Sequence, residues 1–208
     1  IVGVPTSTRT AELARQVGIH VTSLDEAKWL DLTIDGADEF DQNLALIKGG
    51  GAALLQEKIV ATASDQMIVI ADAAKEVQQL GAFPLPIEVI PFGWQTSKAL
   101  VEEMLVSMDV LARDVTLRMN GDRPLVTDES NYILDLHLKR IGNPRQLALV
   151  LNQIPGVVEN GLFIDICDIV IIGHGDGRVT VRDINSGSET DDQILFAPTD
   201  NIFADLGE

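Results

Sequence analysis

The sequence is poor in cysteine, in aromatic residues and in long apolar runs. Cys167 is the single cysteine among 208 residues, which excludes a disulfide framework within one chain and favours a reducing compartment. Aromatic residues make up 4%, so the core must consist mainly of Val, Ile, Leu and Ala. No apolar stretch approaches the roughly 18 residues of a membrane span, and no secretion signal opens the sequence. We therefore expect a cytoplasmic protein with no membrane partner.

Positive charge is also scarce, because 15 basic residues face 32 acidic ones and the formal net charge is -17. Nucleic-acid binding requires clustered Lys and Arg side chains, so a nucleic-acid partner is not expected. An anionic small molecule would need a local positive site within this repelling field. Lysines beside glycine-rich turns are therefore the first candidates for a binding site.

Strand-length apolar runs alternate with helix-length stretches along the chain, which predicts an α/β fold. We expect a parallel-sheet, Rossmann-like main domain from residues 1–84 and 166–183, and a smaller ferredoxin-like α+β subdomain from residues 85–165. The prolines within residues 83–91 are interpreted as the crossover between them. Residues 157–164 are predicted to form one strand, and the run 168–172 is predicted to return to the first sheet. Residues 184–208 have no clear periodicity and are expected to form a flexible or weakly packed tail, in which Leu195-Phe196 and Ile202-Phe203 are apolar pairs.

Two carboxylates follow a predicted strand in the segment Asp35-Gly36-Ala37-Asp38. Ligands of parallel sheets collect at the carboxyl ends of the strands. Carboxylates accept hydrogen bonds from sugar hydroxyls and can move protons during ring opening. Alternatively, the segment is an ordinary turn that ends a strand, where Asp and Gly are common. A metal site is not expected here, because His20, His137 and His174 are scattered along the sequence.

Three consecutive glycines follow a lysine in Lys48-Gly49-Gly50-Gly51. Such a run costs conformational entropy and is tolerated where the backbone must approach another group closely. The glycines lead into a predicted helix, whose free N–H groups attract anions, and Lys48 adds a positive charge. The spacing of a nucleotide-triphosphate loop is absent. Alternatively, the segment is a tight loop at the entry of a helix.

Glu57 lies in the second turn of that helix, where its neighbours at i±3 and i±4 are small or apolar. A glutamate on such a face suits removal of a proton from a carbon next to a carbonyl, because burial raises its pKa while the helix dipole lowers it. Gln56 and Lys58 flank it, so a solvated helix residue is the alternative. Lys75 follows the next strand, at a position from which it would reach a phosphate, but an ordinary surface lysine is favoured by composition.

The order and spacing of these segments resemble the A-type ribose-5-phosphate isomerases over residues 1–182. That resemblance implies interconversion of ribose 5-phosphate and ribulose 5-phosphate through an enediol(ate), within the pentose phosphate pathway and with no metal or organic cofactor. It also implies a cytosolic homo-oligomer, a dimer or a tetramer. The motifs that carry it are Asp35-Gly36-Ala37-Asp38-Glu39, Lys48-Gly49-Gly50-Gly51-Ala52-Ala53-Leu54 with Glu57-Lys58-Ile59, Ile70-Ala71-Asp72-Ala73 with Lys75, Phe83-Pro84-Leu85-Pro86-Ile87-Glu88-Val89-Ile90-Pro91, and Ile154-Pro155-Gly156-Val157-Val158 with Gly161-Leu162-Phe163.

The resemblance also implies roles for individual residues. Glu57 would move a proton between C2 and C1, and Lys48 would stabilise the developing oxyanion. Asp35 and Asp38, with Gly36 and Ala37 between them, would bind sugar hydroxyls and assist ring opening. The backbone of Gly49, Gly50 and Gly51 would donate to the substrate, and Lys75 would contact it from the phosphate side.

One feature of the family has no counterpart in the sequence. The family carries a Thr/Ser-Gly loop upstream of this first strand that holds substrate and phosphate, and Thr6-Ser7-Thr8 does not match it by position. We expect that the sequence begins inside the fold. The alternative function is a non-catalytic effector domain that binds a sugar phosphate without converting it.

Overall fold

The computed structural model describes residues 1–194 of the chain, and its helices and strands alternate as an α/β fold requires. The α-helices are Thr8–Gln16 (α1), Leu24–Ala27 (α2), Leu54–Thr62 (α3), Trp94–Leu105 (α4) and Pro144–Leu151 (α5). The strands are Val2–Gly3 (β1), His20–Val21 (β2), Thr33–Asp35 (β3), Glu39–Phe40 (β4), Leu46–Ile47 (β5), Met67–Asp72 (β6), Leu85–Val89 (β7), Asp114–Leu117 (β8), Met119–Asn120 (β9), Arg123–Pro124 (β10), Tyr132–His137 (β11), Val157–Asn160 (β12), Leu162–Phe163 (β13), Ile169–Gly173 (β14), Arg178–Asp183 (β15) and Ser188–Gln193 (β16).

The main sheet has the strand order β16-β15-β14-β6-β3. Strands β3, β6 and β14 run parallel, and β15 and β16 extend the sheet as an antiparallel pair. Alternating residues of β6 and β14 are buried in one cluster with Phe40, Leu46 and Phe163, as period-2 patterning requires. The prediction that residues 168–172 return to the first sheet is confirmed, because β14 pairs in parallel with β6.

A second sheet, entirely antiparallel, has the order β12-β7-β11-β8. Helices α4 and α5 supply buried residues to the same core cluster as this sheet, including Val101 and Leu105 from α4 and Leu147 and Leu151 from α5. A parallel-sheet part combined with a smaller α+β part is the fold class that the sequence predicts. The domain limits at 84/85 and 165/166 stay a proposal.

Strand β7 corrects the interpretation of residues 83–91 as a mere crossover. All five residues of β7 are buried, and the strand lies between β12 and β11 in the middle of its sheet. Proline lacks an N–H and is normally confined to edge strands, so Pro86 is unusual in this central strand. The chain places Pro86 opposite Asp135, and its carbonyl oxygen accepts a hydrogen bond from the N–H of Gly161 at 2.8 Å.

The predicted single strand 157–164 is in fact two strands on different sheets. It breaks at Gly161, after which β13 pairs with β5 in a small sheet of order β13-β5-β4. The carbonyl of Gly161 accepts from the N–H of Lys48 at 2.9 Å, while its own N–H is bound to Pro86. A single residue therefore links the two sheets, and it fixes the backbone of Lys48.

The segment from residue 184 onward is expected to be a flexible or weakly packed tail, and residues 188–193 of it form strand β16. Strand β16 pairs along its whole length with β15, and Arg182 of β15 donates to Glu189 of β16 at 2.8 Å. Every side chain of β16 is exposed, so the sequence shows no hydrophobic alternation there. Only the backbone pairing with β15 defines the strand. The apolar pairs Leu195-Phe196 and Ile202-Phe203 lie outside the described residues.

Helix starts follow the capping signals of the sequence. The hydroxyl of Ser7 accepts from the N–H of Thr10 at the start of α1, and Ser23 forms a reciprocal capping box with Glu26 at the start of α2. Asn143 caps α5, which begins at a proline. Within residues 1–194, no helix combines the length and the apolar character needed to cross a bilayer.

Candidate active site

Asp35 and Asp38 lie on the two sides of the turn that follows β3, and both are partly buried. The Oδ1 of Asp35 accepts from the N–H of Gly36 at 2.7 Å, while the Oδ2 of Asp38 accepts from the N–H of Gly50 at 2.7 Å. The turn interpretation and the functional interpretation therefore both describe part of this segment. Neighbouring Glu39 is buried and binds the N–H groups of Gly81 and Phe83, so it holds a loop and is closed to a ligand.

Lys48 is almost completely buried, with 3% of its surface exposed, directly after β5. Its Nζ lies 2.9 Å from Asp35 Oδ2 and 3.3 Å from Glu57 Oε2, and it donates to the carbonyl oxygen of Gly36 at 2.7 Å. The same ammonium lies 5.6 Å from the ring centroid of Phe163. Asp35, Lys48 and Glu57, which we call the Lys48 cluster, are thus brought together from a strand end, a loop and a helix.

The Lys48 cluster carries one positive and two negative groups, so its net charge is negative when both carboxyls are ionised. The positive charge that Lys48 adds to this segment is therefore shared with the carboxylates of Asp35 and Glu57. Two carboxylates already neutralise it, and a phosphate there would face both of them. The ammonium is instead placed to act on a neutral oxygen that gains charge during a reaction.

Glu57 is the member of the cluster with unused hydrogen-bonding capacity. Its Oε2 is buried and makes no hydrogen bond, because the Lys48 ammonium is within ion-pair distance but is not aligned for one. Burial is the largest cause that raises the pKa of Glu57, and the nearby carboxylates of Asp35 and Asp38 raise it further, while Lys48 opposes the shift. A buried carboxylate with a raised pKa and a free oxygen is suited to accept a proton.

The three glycines, Gly49, Gly50 and Gly51, form what we call the glycine loop. Gly49 has a φ of +103°, and a Cβ there would lie 2.8 Å from Leu54 Cδ2. A Cβ on Gly50 would lie 2.5 Å from Asp38 Oδ1, so a larger residue would displace that carboxylate. Gly51 has open space around it, and helix α3 then begins with no side-chain cap. The loop is therefore packed on one side and open at Gly51.

Glu57 lines a cavity of about 600 Å³, which is large enough to hold a small ligand. Its walls are the start of α1, Gly51 with the two residues that precede α3, and the segment 120–128 between β8 and β11. The residues that line it include Ser7, Arg9, Gly51, Ala52, Glu57 and Asp128. Asp35 lies on a different cavity of about 400 Å³, whose other walls are mainly apolar residues of β1 and β3.

Two backbone donors at the start of α1 are already occupied in this cavity. The N–H and hydroxyl of Thr8 both donate to Asp128 Oδ2, at 2.8 and 3.0 Å, and the N–H of Thr10 is bound to Ser7. The Asp128 carboxylate adds negative charge beside these two donors. That Thr6-Ser7-Thr8 does not replace a phosphate-binding loop stays a prediction.

Lys75 ends a 3₁₀ turn, Ala73–Lys75, that follows β6. Strand β6 continues three residues past Val69, the register partner of Asp35, so Lys75 lies beyond the carboxyl end of β3. In the described part of the chain it forms no ion pair with the Lys48 cluster and does not line the cavity of Glu57. Its contact with a substrate stays a prediction.

Arg118, which contacts the glycine loop from the second sheet, was not among the predicted site residues. Its Nη1 donates to the carbonyl oxygens of Gly49 at 2.8 Å and of Gly50 at 3.0 Å. An arginine at the end of a strand with exposed residues is typical of a solvated surface. The contact between Arg118 and Gly49 joins residues that are 69 positions apart in the sequence. Only the three-dimensional arrangement of the sheets reveals it.

Metal ligation was not predicted, and within residues 1–194 no group of three or more His, Cys, Asp and Glu side chains has the arrangement of a metal site. Asp35 and Glu57, the carboxylates of the Lys48 cluster, share an ammonium instead. Metal independence stays a prediction that an assay must test.

Residues 2–177 match the family model described as ribose 5-phosphate isomerase A (phosphoriboisomerase A). The ribose-5-phosphate isomerase A of a Ruegeria species is 78% identical over 208 residues, covering 100% of this chain and 79% of that protein. The Ruegeria pomeroyi protein of the same name is 75% identical over 206 residues, covering 99% and 79%.

Two solved structures have the same fold. A D-ribose-5-phosphate isomerase in complex with phospho-erythronic acid is 45% identical, with a TM-score of 0.80 over 88% of this chain and 78% of that chain. Ribose 5-phosphate isomerase A of Methanocaldococcus jannaschii is 36% identical, with a TM-score of 0.79 over the same shares of the two chains.

Proposed function

The chain belongs to the ribose 5-phosphate isomerase A family, and from that membership we propose that it interconverts ribose 5-phosphate and ribulose 5-phosphate with Glu57 as the base. The observation that carries the proposal is the position of Glu57, whose buried Oε2 lies 3.3 Å from the Lys48 ammonium without a hydrogen bond and whose side chain lines a cavity. A base and an oxyanion partner side by side are what an enediolate reaction needs.

In the proposed reaction, Glu57 removes the proton from C2 of the open-chain aldose. The electrons of that C–H bond form the C1–C2 double bond, and the carbonyl oxygen at C1 takes the negative charge. Lys48 and the open N–H of the glycine loop stabilise that oxygen. Glu57 then returns its proton to C1, the O2 hydroxyl proton is transferred to the O1 oxyanion, and the C2 carbonyl of the ketose forms.

Asp35 and Asp38 have supporting roles in this proposal. Asp35 holds the Lys48 ammonium at 2.9 Å, and Asp38 holds the glycine loop through Gly50 at 2.7 Å. Asp38 keeps its Oδ1 with which to accept a sugar hydroxyl, whereas both oxygens of Asp35 already accept a bond and would use a remaining lone pair. Lys75 is proposed to contact the phosphate side of the substrate from the end of β6.

The location and assembly of the protein are proposals as well. We propose a cytoplasmic homo-oligomer, a dimer or a tetramer, in line with the single cysteine of the sequence and with the family. The alternative function, a sugar-phosphate effector domain without turnover, is not favoured. A ligand-binding domain has no need of a buried carboxylate that is kept short of hydrogen bonds, because such a group costs stability.

The full chain is expected to convert ribose 5-phosphate to ribulose 5-phosphate at an undiminished rate in excess EDTA. The reason is that Lys48 supplies the positive charge that a metal ion would otherwise bring to the oxyanion. Absorbance of the ketose product, with and without EDTA, checks this. A zinc-dependent isomerase treated in parallel is the control for effective chelation, and complete dependence on added metal would overturn the mechanism.

A second expectation concerns pH. Glu57 must be ionised to accept a proton, so kcat/KM is expected to fall as pH is lowered through the pKa of Glu57. Because burial raises that pKa, the fall should occur above the range in which an exposed glutamate titrates. Asp35→Asn removes a negative charge that raises the pKa of Glu57, so the acid limb of the profile should move to lower pH in that variant. An acid limb that stays in place would contradict the assignment of Glu57.

A further inference from the structure

We infer that Arg118 is a positioning residue for the proposed isomerisation: it holds the glycine loop so that the N–H of Gly51 is presented to the substrate. The inference rests on the proposed function and names a residue outside the Lys48 cluster. Arg118 directly follows β8, so it belongs to the second sheet, whereas the glycine loop joins β5 to α3. Its guanidinium therefore bridges two separate parts of the fold.

The guanidinium is fixed from both sides. Its Nε donates to Asp135 Oδ2 at 2.9 Å and its Nη2 to Asp135 Oδ1, which is a bidentate pair across neighbouring strands β8 and β11. Its Nη1 donates to the carbonyl oxygens of Gly49 and Gly50. The side chains of Arg118 and Asp135 are 15% and 16% exposed, so water screens the pair only weakly. A lysine has no planar fork with which to make this set of bonds.

The geometry of the peptide bond passes this fixation to the other side of the loop. In a trans peptide the C=O and the following N–H point in opposite directions. With Gly49 O on Arg118, the N–H of Gly50 points away from Arg118, and there it meets Asp38 Oδ2 at 2.7 Å. With Gly50 O also on Arg118, the N–H of Gly51 must likewise point away from the guanidinium.

The N–H of Gly51 is the open donor of this loop that belongs to a residue lining the cavity. Within residues 1–194 it has no hydrogen-bond partner, and Gly51 lines the same cavity as Glu57. Glycines restrict their own backbone least of all residues, so a loop of three needs an external restraint to hold one orientation. Arg118 on one side and Asp38 on the other provide that restraint. A donor held in place before the reaction stabilises developing charge at no cost of reorganisation.

The test compares Arg118→Met and Arg118→Lys with the wild-type chain and with Arg140→Met. Arg140 pairs with Asp109 in the same part of the fold but does not contact the glycine loop, so it is a matched control. Steady-state isomerisation of ribose 5-phosphate gives kcat and KM. Amide hydrogen exchange by NMR reports on Gly50 directly.

For Arg118→Met, kcat is expected to fall about 100-fold while KM stays within about threefold, because a displaced donor affects the transition state more than the bound substrate. Exchange of the Gly50 amide should accelerate about tenfold or more, since its bond to Asp38 depends on the held loop. Arg118→Lys should recover little of either property, and Arg140→Met should resemble the wild type in both.

Two results would overturn the inference: a kcat within about threefold of wild type in folded Arg118→Met, or unchanged Gly50 exchange in that variant. If Arg118→Met does not fold, Asp135→Asn serves in its place, because it weakens the support of the guanidinium and leaves Arg118 itself intact. An inactive wild-type chain would contradict the proposed function, whereas the exchange experiment would still decide whether Arg118 holds the loop.

Discussion

Glu57→Gln is expected to lower kcat for ribose 5-phosphate by about 10²- to 10⁴-fold, with KM changed only a few-fold. Glutamine keeps the shape of the side chain and its place in the first turn of α3, but it cannot accept the C2 proton. Substrate binding depends on other groups, so it should persist. Steady-state kinetics on the two proteins, with ribulose 5-phosphate as the product measured, check the prediction.

The matched control is Glu103→Gln, the same chemical change on an exposed residue of helix α4. Its kcat should equal that of the wild type within about twofold, because no cavity or ion pair depends on it. Near-normal turnover in Glu57→Gln would remove Glu57 from the role of base. Equal losses in both variants would instead point to a general effect on the preparation.

The stability of Glu57→Gln distinguishes a catalytic carboxylate from a structural one. The pKa of Glu57 is raised in the folded state, so its contribution to stability is fully present below the unfolded pKa and is lost as pH rises through the folded pKa. Glutamine resembles the protonated form at every pH. We therefore expect similar Tm values at about pH 4 and a higher Tm for the variant at about pH 8. A structural ion pair would give the opposite sign at the higher pH.

The sequence located most of the site because its members follow elements that local signals mark clearly. Asp35 ends an apolar strand, Lys48 precedes a glycine run, and Glu57 lies on a helix face whose neighbours are small or apolar. Their order along the chain also matched a family pattern. The structure brings all three within ion-pair distance, as that pattern implies. The sequence could not show that Lys48 would be neutralised by both carboxylates.

The features that the sequence did not predict depend on contacts between distant segments. Strand β7 contains a proline, and only its place between β12 and β11 shows that the missing N–H is tolerated. Strand β16 is polar and exposed, and it exists because β15 offers a free edge. Arg118 reaches the glycine loop because β8 and the loop meet in space. None of these arrangements leaves a periodicity or a local motif in the sequence.

Lys48→Met is the second variant with a large expected effect, a loss of kcat of about 10³-fold or more at neutral pH. Methionine fills a similar volume but removes the donor nearest to the oxyanion, which by itself costs about 10²- to 10³-fold. It also removes the positive charge that lowers the pKa of Glu57, so that pKa should rise further and leave less of the base ionised. The full pH profile of kcat/KM measures both effects.

The two effects separate at high pH. The part of the loss that comes from protonated Glu57 should be recovered as pH rises, whereas the part that comes from the missing donor should remain at every pH. The free energy of unfolding should fall as well, because the carboxylates of Asp35 and Glu57 lose their shared partner. Breaking a buried ion pair costs about 3–5 kcal/mol. Protonation of Glu57 offsets part of that loss.

Lys58→Met is the control that separates folding from catalysis. Lys58 is also buried, lies 4.9 Å from the ring centroid of Phe163, and pairs with Glu159 at 2.9 Å, but its ammonium is bound away from the Lys48 cluster. Its replacement should lower Tm while kcat stays within about tenfold of wild type. A folded Lys48→Met protein with turnover in that same range would show that the ammonium serves only to neutralise Asp35 and Glu57, and the oxyanion would then depend on the backbone N–H of Gly51 alone.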